Sequence, residues 1–196
     1  MPEFCDFTVD LSNQCGDDYP IAGLGNIYLA PVRQLDPAVT VFSALNHDIT
    51  ALGLQNAGSF MKIEGKVSTK DLATENAKDG GGNVFNITAN AMIPNLDTVT
   101  SFALKQYGKQ KVVAIIELFE KDATTGNRKA IVIGLDNVMG IDAGATFAYN
   151  DTVEAEQGGV NGYNVVITGT QGESPRFFKG AITIKDGATT AVVNLG

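Results

Sequence analysis

Two stretches of this chain alternate between apolar and polar residues, and a period of two is the mark of a half-buried β-strand. From Phe60 to Ser68, Met61, Ile63, Gly65 and Val67 fall on one face and Lys62, Glu64 and Lys66 on the other. From Phe85 to Ile93, Phe85, Ile87, Ala89, Ala91 and Ile93 alternate with Asn86, Thr88 and Asn90. Together they predict an antiparallel hairpin whose strands are joined by a long loop, residues 69–83, ending in Asp79-Gly80-Gly81-Gly82-Asn83. Hairpin loops usually have ~2–5 residues, and a loop this long is expected to be functional or disordered.

One helix follows. Leu96, Val99, Ala103 and Tyr107 recur at helical spacing, and Phe102 and Leu104 widen the stripe. The spacing predicts a helix over about 95–107, started at Pro94-Asn95, with the stripe packed in the core. Gly108 stands where a C-terminal cap belongs, and Lys105, Lys109 and Lys111 suit the negative end of the helix dipole. A second hairpin is predicted from Val112–Phe119 and Ala130–Leu135, joined through Thr124-Thr125-Gly126-Asn127. Both of its faces are apolar, so it is expected to be buried on both sides, against the other sheet or the helix, or against a neighbouring subunit.

Elsewhere the chain reads as short strands cut by glycine: Ile27–Ala30, Thr40–Leu45, Thr146–Asn150, Tyr163–Thr168, Phe177–Ile184 and Thr189–Leu195. Residues 1–23 are polar and turn-rich and read as an arm. No internal repeat or domain boundary appears, so residues 1–196 are expected to form a single domain.

With 196 residues, 44% of them hydrophobic, the chain can build one large core. Its net charge of -8 opposes wrapping a nucleic-acid backbone or docking on anionic lipid. The same charge suits either plain solubility or a surface that touches DNA without holding it. No segment approaches the ~20 apolar residues of a membrane span. The N-terminus lacks a basic region followed by an apolar run, so synthesis in the cytoplasm is expected.

Cys5 and Cys15 are the only cysteines. They are too far apart for a Cys-x-x-Cys pair, and neither further Cys nor a nearby His completes a zinc site. Reduced thiols, a late disulfide and a ligand pair shared between subunits all remain open. His47, the sole histidine, reads as a turn residue beside Asp48, and no Gly-x-Ser-x-Gly elbow accompanies it. The acids Asp17, Asp18, Asp142 and Asp151 are too sparse for a calcium loop. The glycine run 80–82 lacks the Lys-Ser/Thr of a phosphate loop and precedes a strand, not a helix. Gly23-Leu24-Gly25 opens no helix and makes no dinucleotide site. No catalytic residue, cofactor or metal is therefore expected. The polar residues Lys62, Glu64, Lys66, Asn86, Thr88 and Asn90 fit either a solvated sheet face or the wall of a polar channel.

The order of elements resembles a known family. An arm with Cys5 and Cys15 precedes Gly23-Leu24-Gly25-Asn26-Ile27-Tyr28-Leu29-Ala30. The Phe60 to Lys66 strand follows, then Phe85 to Asn90, and the Ile93-Pro94-Asn95-Leu96 helix start. Val112 to Glu117, Arg128 to Gly134 and Gly162 to Gly169 complete the series. Over roughly residues 5–185 this is similar to the tail tube proteins of Bacteroidetes phages and prophages, including crAss-like relatives. The resemblance rests on element order and local patterns, with no catalytic signature.

That resemblance implies a mainly β fold, an antiparallel β-sandwich or incomplete β-barrel flanked by one helix. It also implies self-association into rings, usually hexameric, that stack into a hollow tube in the virion. DNA would pass transiently through the bore, and the tube would meet other phage tail proteins. Lys62, Glu64, Lys66, Asn86, Thr88 and Asn90 become candidates for the bore. Asp71, Glu75, Lys78, Asp79, Gly80, Gly81 and Gly82, in the 69–83 loop, become candidates for contact with the next ring. The proposed bore strand carries two Lys and one Glu in an acidic chain, which leaves the sign of the bore potential open. A ring-forming head–tail adaptor or tail terminator is the first alternative. A carbohydrate-binding β-sandwich is the second, although that class displays Trp or Tyr and this chain has no Trp.

Overall fold

The computed structural model describes residues 23–43, 47–64, 71–79, 82–94, 96–135, 144–153, 161–186 and 189–196. Residues 1–22 with both cysteines, together with Lys66, Gly80 and Gly81, lie outside the described residues.

In chain order the strands begin with β1 (Leu24–Pro31), β2 (Leu35–Phe42), β3 (Asp48–Leu54) and β4 (Phe60–Ile63). Next come β5 (Asp71–Asp79), β6 (Gly82–Pro94), helix α1 (Thr98–Tyr107), β7 (Val112–Lys121) and β8 (Arg128–Ile133). The last third holds β9 (Thr146–Val153), β10 (Asn161–Gln171), β11 (Arg176–Phe178), β12 (Gly180–Asp186) and β13 (Thr189–Leu195). The fold is mainly β, as the sequence predicts.

Nine strands form one sheet in the order β13-β12-β4-β1-β7-β8-β11-β3-β2, and four form a second, β5-β6-β10-β9. The large sheet is mixed rather than wholly antiparallel, because β11 runs parallel to β3 and β12 parallel to β4. It rolls until β12 nears β3 but does not close into a barrel. Inside the roll lies one core, with Tyr28, Phe60, Ile115, Val132, Phe178 and Ile182. The small sheet and α1 cover the other face of β1, β7 and β8, and a second core fills that space. There Leu29, Ile116 and Ile133 meet Ile87, Leu104, Phe147, Val165 and Ile167.

This two-core arrangement explains why β7 is apolar on both faces. Val113 and Ile115 enter the roll, while Val112, Ala114 and Ile116 enter the space between the sheets, and all five are 0% exposed. The chain's own elements cover both sides. The sheets approach closely at Gly169, where an added Cβ would lie 2.5 Å from Ile133 Cγ2. A glycine there lets β10 sit against the large sheet.

Two expectations are corrected. First, β4 does not pair with β6. It is short, ends at Ile63, and lies between β1 and β12 in the large sheet. Second, residues 69–83 are not a long loop. Asp71–Asp79 is a strand whose register with β6 runs from Asp71↔Asn90 to Asp79↔Gly82, leaving the two residues Gly80-Gly81 between the strands.

Helix α1 starts later than predicted. Asp97 is its N-cap, and its carboxylate accepts a hydrogen bond from the Thr100 amide at 2.8 Å and one from the Thr100 hydroxyl at 2.6 Å. The buried face also differs. Leu104 is the helix residue that is fully buried, and Tyr107 packs at the edge of the same core. Leu96, Val99 and Phe102 are 42%, 78% and 65% exposed, so half of the six residues expected in the core stripe face outward. No helix among the described residues is long and apolar enough to cross a membrane.

Candidate functional site

The small sheet has two unlike faces. Ile87, Ala89 and Ala91 of β6 and Val165 and Ile167 of β10 turn inward and are 0% exposed. Their neighbours turn outward, and register aligns them into rows. Glu75, Asn86 and Thr170 form one row, and Thr170 Oγ1 lies 3.1 Å from Asn86 Oδ1. Ala73, Thr88, Thr168 and Thr146 form the next, and Asp71, Asn90, Val166 and Ala148 the third. Asn164 and Asn150 continue the face. Among the described residues no Lys, Arg or His stands on it, and its charged members Asp71 and Glu75 are acids.

The structure therefore divides the six candidate bore residues. Asn86, Thr88 and Asn90 share the outer face of the small sheet. Lys62 and Glu64 sit on and just after β4 in the other sheet and pair with each other. They border a groove of about 400 Å³ beneath the first turn of α1, with Ile93, Val99 and Ala103. Glu64 is well exposed, so this pair contributes little to stability. The expected facing of Lys62, Glu64 and Lys66 against Asn86, Thr88 and Asn90 is thus corrected for the described members. Asp71 and Glu75 move from the expected loop to the sheet face. Lys78, Asp79 and Gly82 are in the β5–β6 hairpin that replaces that loop.

Thr146, Asn150, Asn164, Thr168 and Thr170 are members of the face that the sequence reading passed over. A signal for them exists: Tyr163, Val165 and Ile167 alternate with Asn164, Val166 and Thr168.

Among the described residues, both sheets end in strands that lack a partner on one side. The small sheet ends at β5, 9 residues long, and at β9, 8 residues long. Each presents a row of outward backbone donors and acceptors, a template for pairing with another strand. The large sheet ends likewise at β13 and β2.

The buried polar residues are used in holding the fold. Glu117, 7% exposed, accepts through Oε2 from the Asn26 amide at 3.0 Å, Asn26 Nδ2 at 2.9 Å and the Tyr28 hydroxyl at 3.2 Å. Its Oε1 accepts from Arg128 at 3.2 Å. The cluster secures the register shift between Leu24 and Ile27 where β1 meets β7. Gly25 makes room for it, since a Cβ there would lie 2.9 Å from the Glu117 carboxyl carbon. Burial, with Glu117 beside it, pushes the Tyr28 hydroxyl up to about 12 against the opposing hydrogen bond from Asn26. Burial also raises Tyr107. The bonds from Thr100 hold Asp97 below the usual carboxylate range, and backbone amides of Thr125 and Thr124 do the same for Asp122.

His47 Nε2 lies 2.8 Å from the Ser174 carbonyl oxygen and 2.9 Å from the Ser174 hydroxyl. The carbonyl can only accept, so Nε2 carries the proton there and is not placed to take one from Ser174. Asp48 is engaged with Lys179 at 3.4 Å. Among the described residues no group of three or more His, Cys, Asp or Glu is placed to hold a metal ion.

Compared with known proteins, the chain matches no family model, no curated protein and no solved structure.

Proposed function

We propose that this chain is a structural, non-enzymatic subunit that assembles with copies of itself into stacked rings, forming a phage tail tube in the virion through which DNA passes. The observation that carries the reading is the small sheet: polar on one face, apolar on the other and, among the described residues, open at both edges. Pairing β9 of one copy with β5 of the next would satisfy both edges and close a ring of continuous sheet. The rows of Asn, Thr and Ala with Asp71 and Glu75 would then line the bore. A wall of neutral hydrogen-bonding groups and a few acids offers phosphate no cation to hold it, so DNA slides. On this reading the β5–β6 hairpin reaches the next ring. On this reading six copies per ring are expected, as is contact with other tail proteins, and the subunit is made in the bacterial cytoplasm.

Negative-stain microscopy at rising protein concentration tests the proposal. Filaments as wide as a phage tail support it. Single rings would assign the chain to a head–tail adaptor or tail terminator. Monomers that bind glycans would assign it to a lectin.

A further inference from the structure

A basic groove lies at the far end of helix α1. It measures about 390 Å³ and is lined by Arg33, Phe102, Lys105, Gln106, Lys109 and Gln110. Among the described residues no carboxylate lines it, and Arg33, Lys105 and Lys109 make no ion pair. The groove under the first turn of the helix differs, because Lys62 there is paired with Glu64. Lys105 and Lys109 suit the negative end of the helix dipole. The dipole does not account for Arg33, which comes from a separate segment, the single turn Val32–Gln34 after β1. Two segments thus bring three cations to one concavity in a chain of net charge -8.

Backbone hydrogen bonds hold both walls. On one side the Val32 amide donates to the Lys111 carbonyl at 3.0 Å. On the other the amides of Gly108 and Gln110 donate to the carbonyls of Leu104 and Tyr107 at 2.9 and 3.2 Å. The concavity is therefore built before any ligand arrives, and its volume falls within the ~300–1,000 Å³ of small-molecule sites.

The lining offers two chemistries side by side. The planar fork of Arg33 suits bidentate contact with a phosphate, and Lys105 and Lys109 add point charges. Phe102 is 65% exposed and offers an aromatic face on which a flat ring can stack. Gln106 and Gln110 each carry amide donors and an acceptor, the complement of a nucleobase edge. We propose that this groove binds a nucleoside phosphate, with the phosphates among Arg33, Lys105 and Lys109 and the base against Phe102 and the two glutamines. The outer face of the small sheet has no such cations among the described residues, so the two surfaces treat phosphate oppositely. The site needs no second copy and does not depend on the tube reading.

Calorimetric titration of the full chain with ATP, inorganic tripolyphosphate and adenosine tests the proposal. ATP is expected to bind at one site per chain, more tightly than tripolyphosphate or adenosine. Lys105→Glu/Lys109→Glu should weaken ATP at least tenfold, as should Arg33→Gln. Phe102→Ala should weaken ATP several-fold and leave tripolyphosphate unchanged. In the unsubstituted chain, ATP should move the backbone amide resonances of residues 32–34 and 102–110 and leave those of β12 in place, a readout that no variant's folding can obscure. A short deoxyadenosine strand distinguishes the sources of the ligand: tighter binding than ATP assigns the site to single-stranded nucleic acid, and equal or weaker binding to the free nucleotide. Absence of saturable binding, affinity unchanged by the groove variants, or tripolyphosphate bound as tightly as ATP would each overturn the proposal. So would tighter binding of a peptide of alternating Asp and Phe, which would assign the groove to a protein partner. Microscopy of tube formation is read separately, so this site and the tube can fail independently.

Discussion

The rolled sheet and the small sheet are built from similar residues but finish differently. The rolled sheet holds a core inside and turns its other face to the second core, so β1 and β7 are satisfied by their own chain on both faces. The small sheet is covered on one face and leaves the other polar, and among the described residues β5 and β9 have no further partner. Stability is concentrated in the first region, and on the proposed reading the second is where copies would associate. A substitution in the roll should therefore unfold the chain, while one on the small sheet's outer face should change what the folded chain does.

The largest expected effect is in the roll. Phe178→Ala empties a 0% exposed site and should cost about 3–5 kcal/mol, read as a lower urea midpoint with little change in slope. Next is Glu117→Ala, which leaves the Asn26 side chain, the Tyr28 hydroxyl and Arg128 without their shared acceptor; about 2–3 kcal/mol is expected by the same measurement. A loss as large from Thr168→Lys, on the outer face, would break the contrast. That variant should stay within about 0.5 kcal/mol of the parent. On the proposed reading its tubes should instead retain DNA that parent tubes release, and added salt should reverse the retention.

The smallest effect is local to one helix end. The folded pKa of Asp97 is depressed, so its capping contribution is present above the unfolded carboxylate value near ~4 and is lost as pH falls through the lower folded value. Hydrogen exchange at Thr100 and Ser101 should quicken in that acid window while β7 amides stay protected. Asp97→Ala should bring the faster exchange to neutral pH.

The sequence carries this contrast unevenly. Alternation in β6 identifies Ile87, Ala89 and Ala91 as inward and Asn86, Thr88 and Asn90 as outward, and the two apolar faces of β7 and β8 announce burial on both sides. Strand β5 is hidden because Asp71-Leu72-Ala73-Thr74-Glu75-Asn76-Ala77 has low strand preference and one large apolar residue, Leu72. It is a strand through its pairing with β6. The partner of β4 was illegible for another reason: Ile63↔Ile27 and Ile184↔Phe60 are long-range pairings, and strand alternation does not specify a partner. Val99 and Phe102 mislead because periodicity identifies an apolar stripe without saying whether this chain or another molecule covers it.

Amide exchange in β5 and β9, followed from dilute to assembled protein, tests the central claim most directly. Outward amides of both strands should exchange quickly in the monomer and become protected together as assembly proceeds, with those of β1 and β7 slow throughout. Assembly that leaves both edges as fast as in the monomer, or a chain that stays monomeric at every concentration, would contradict it.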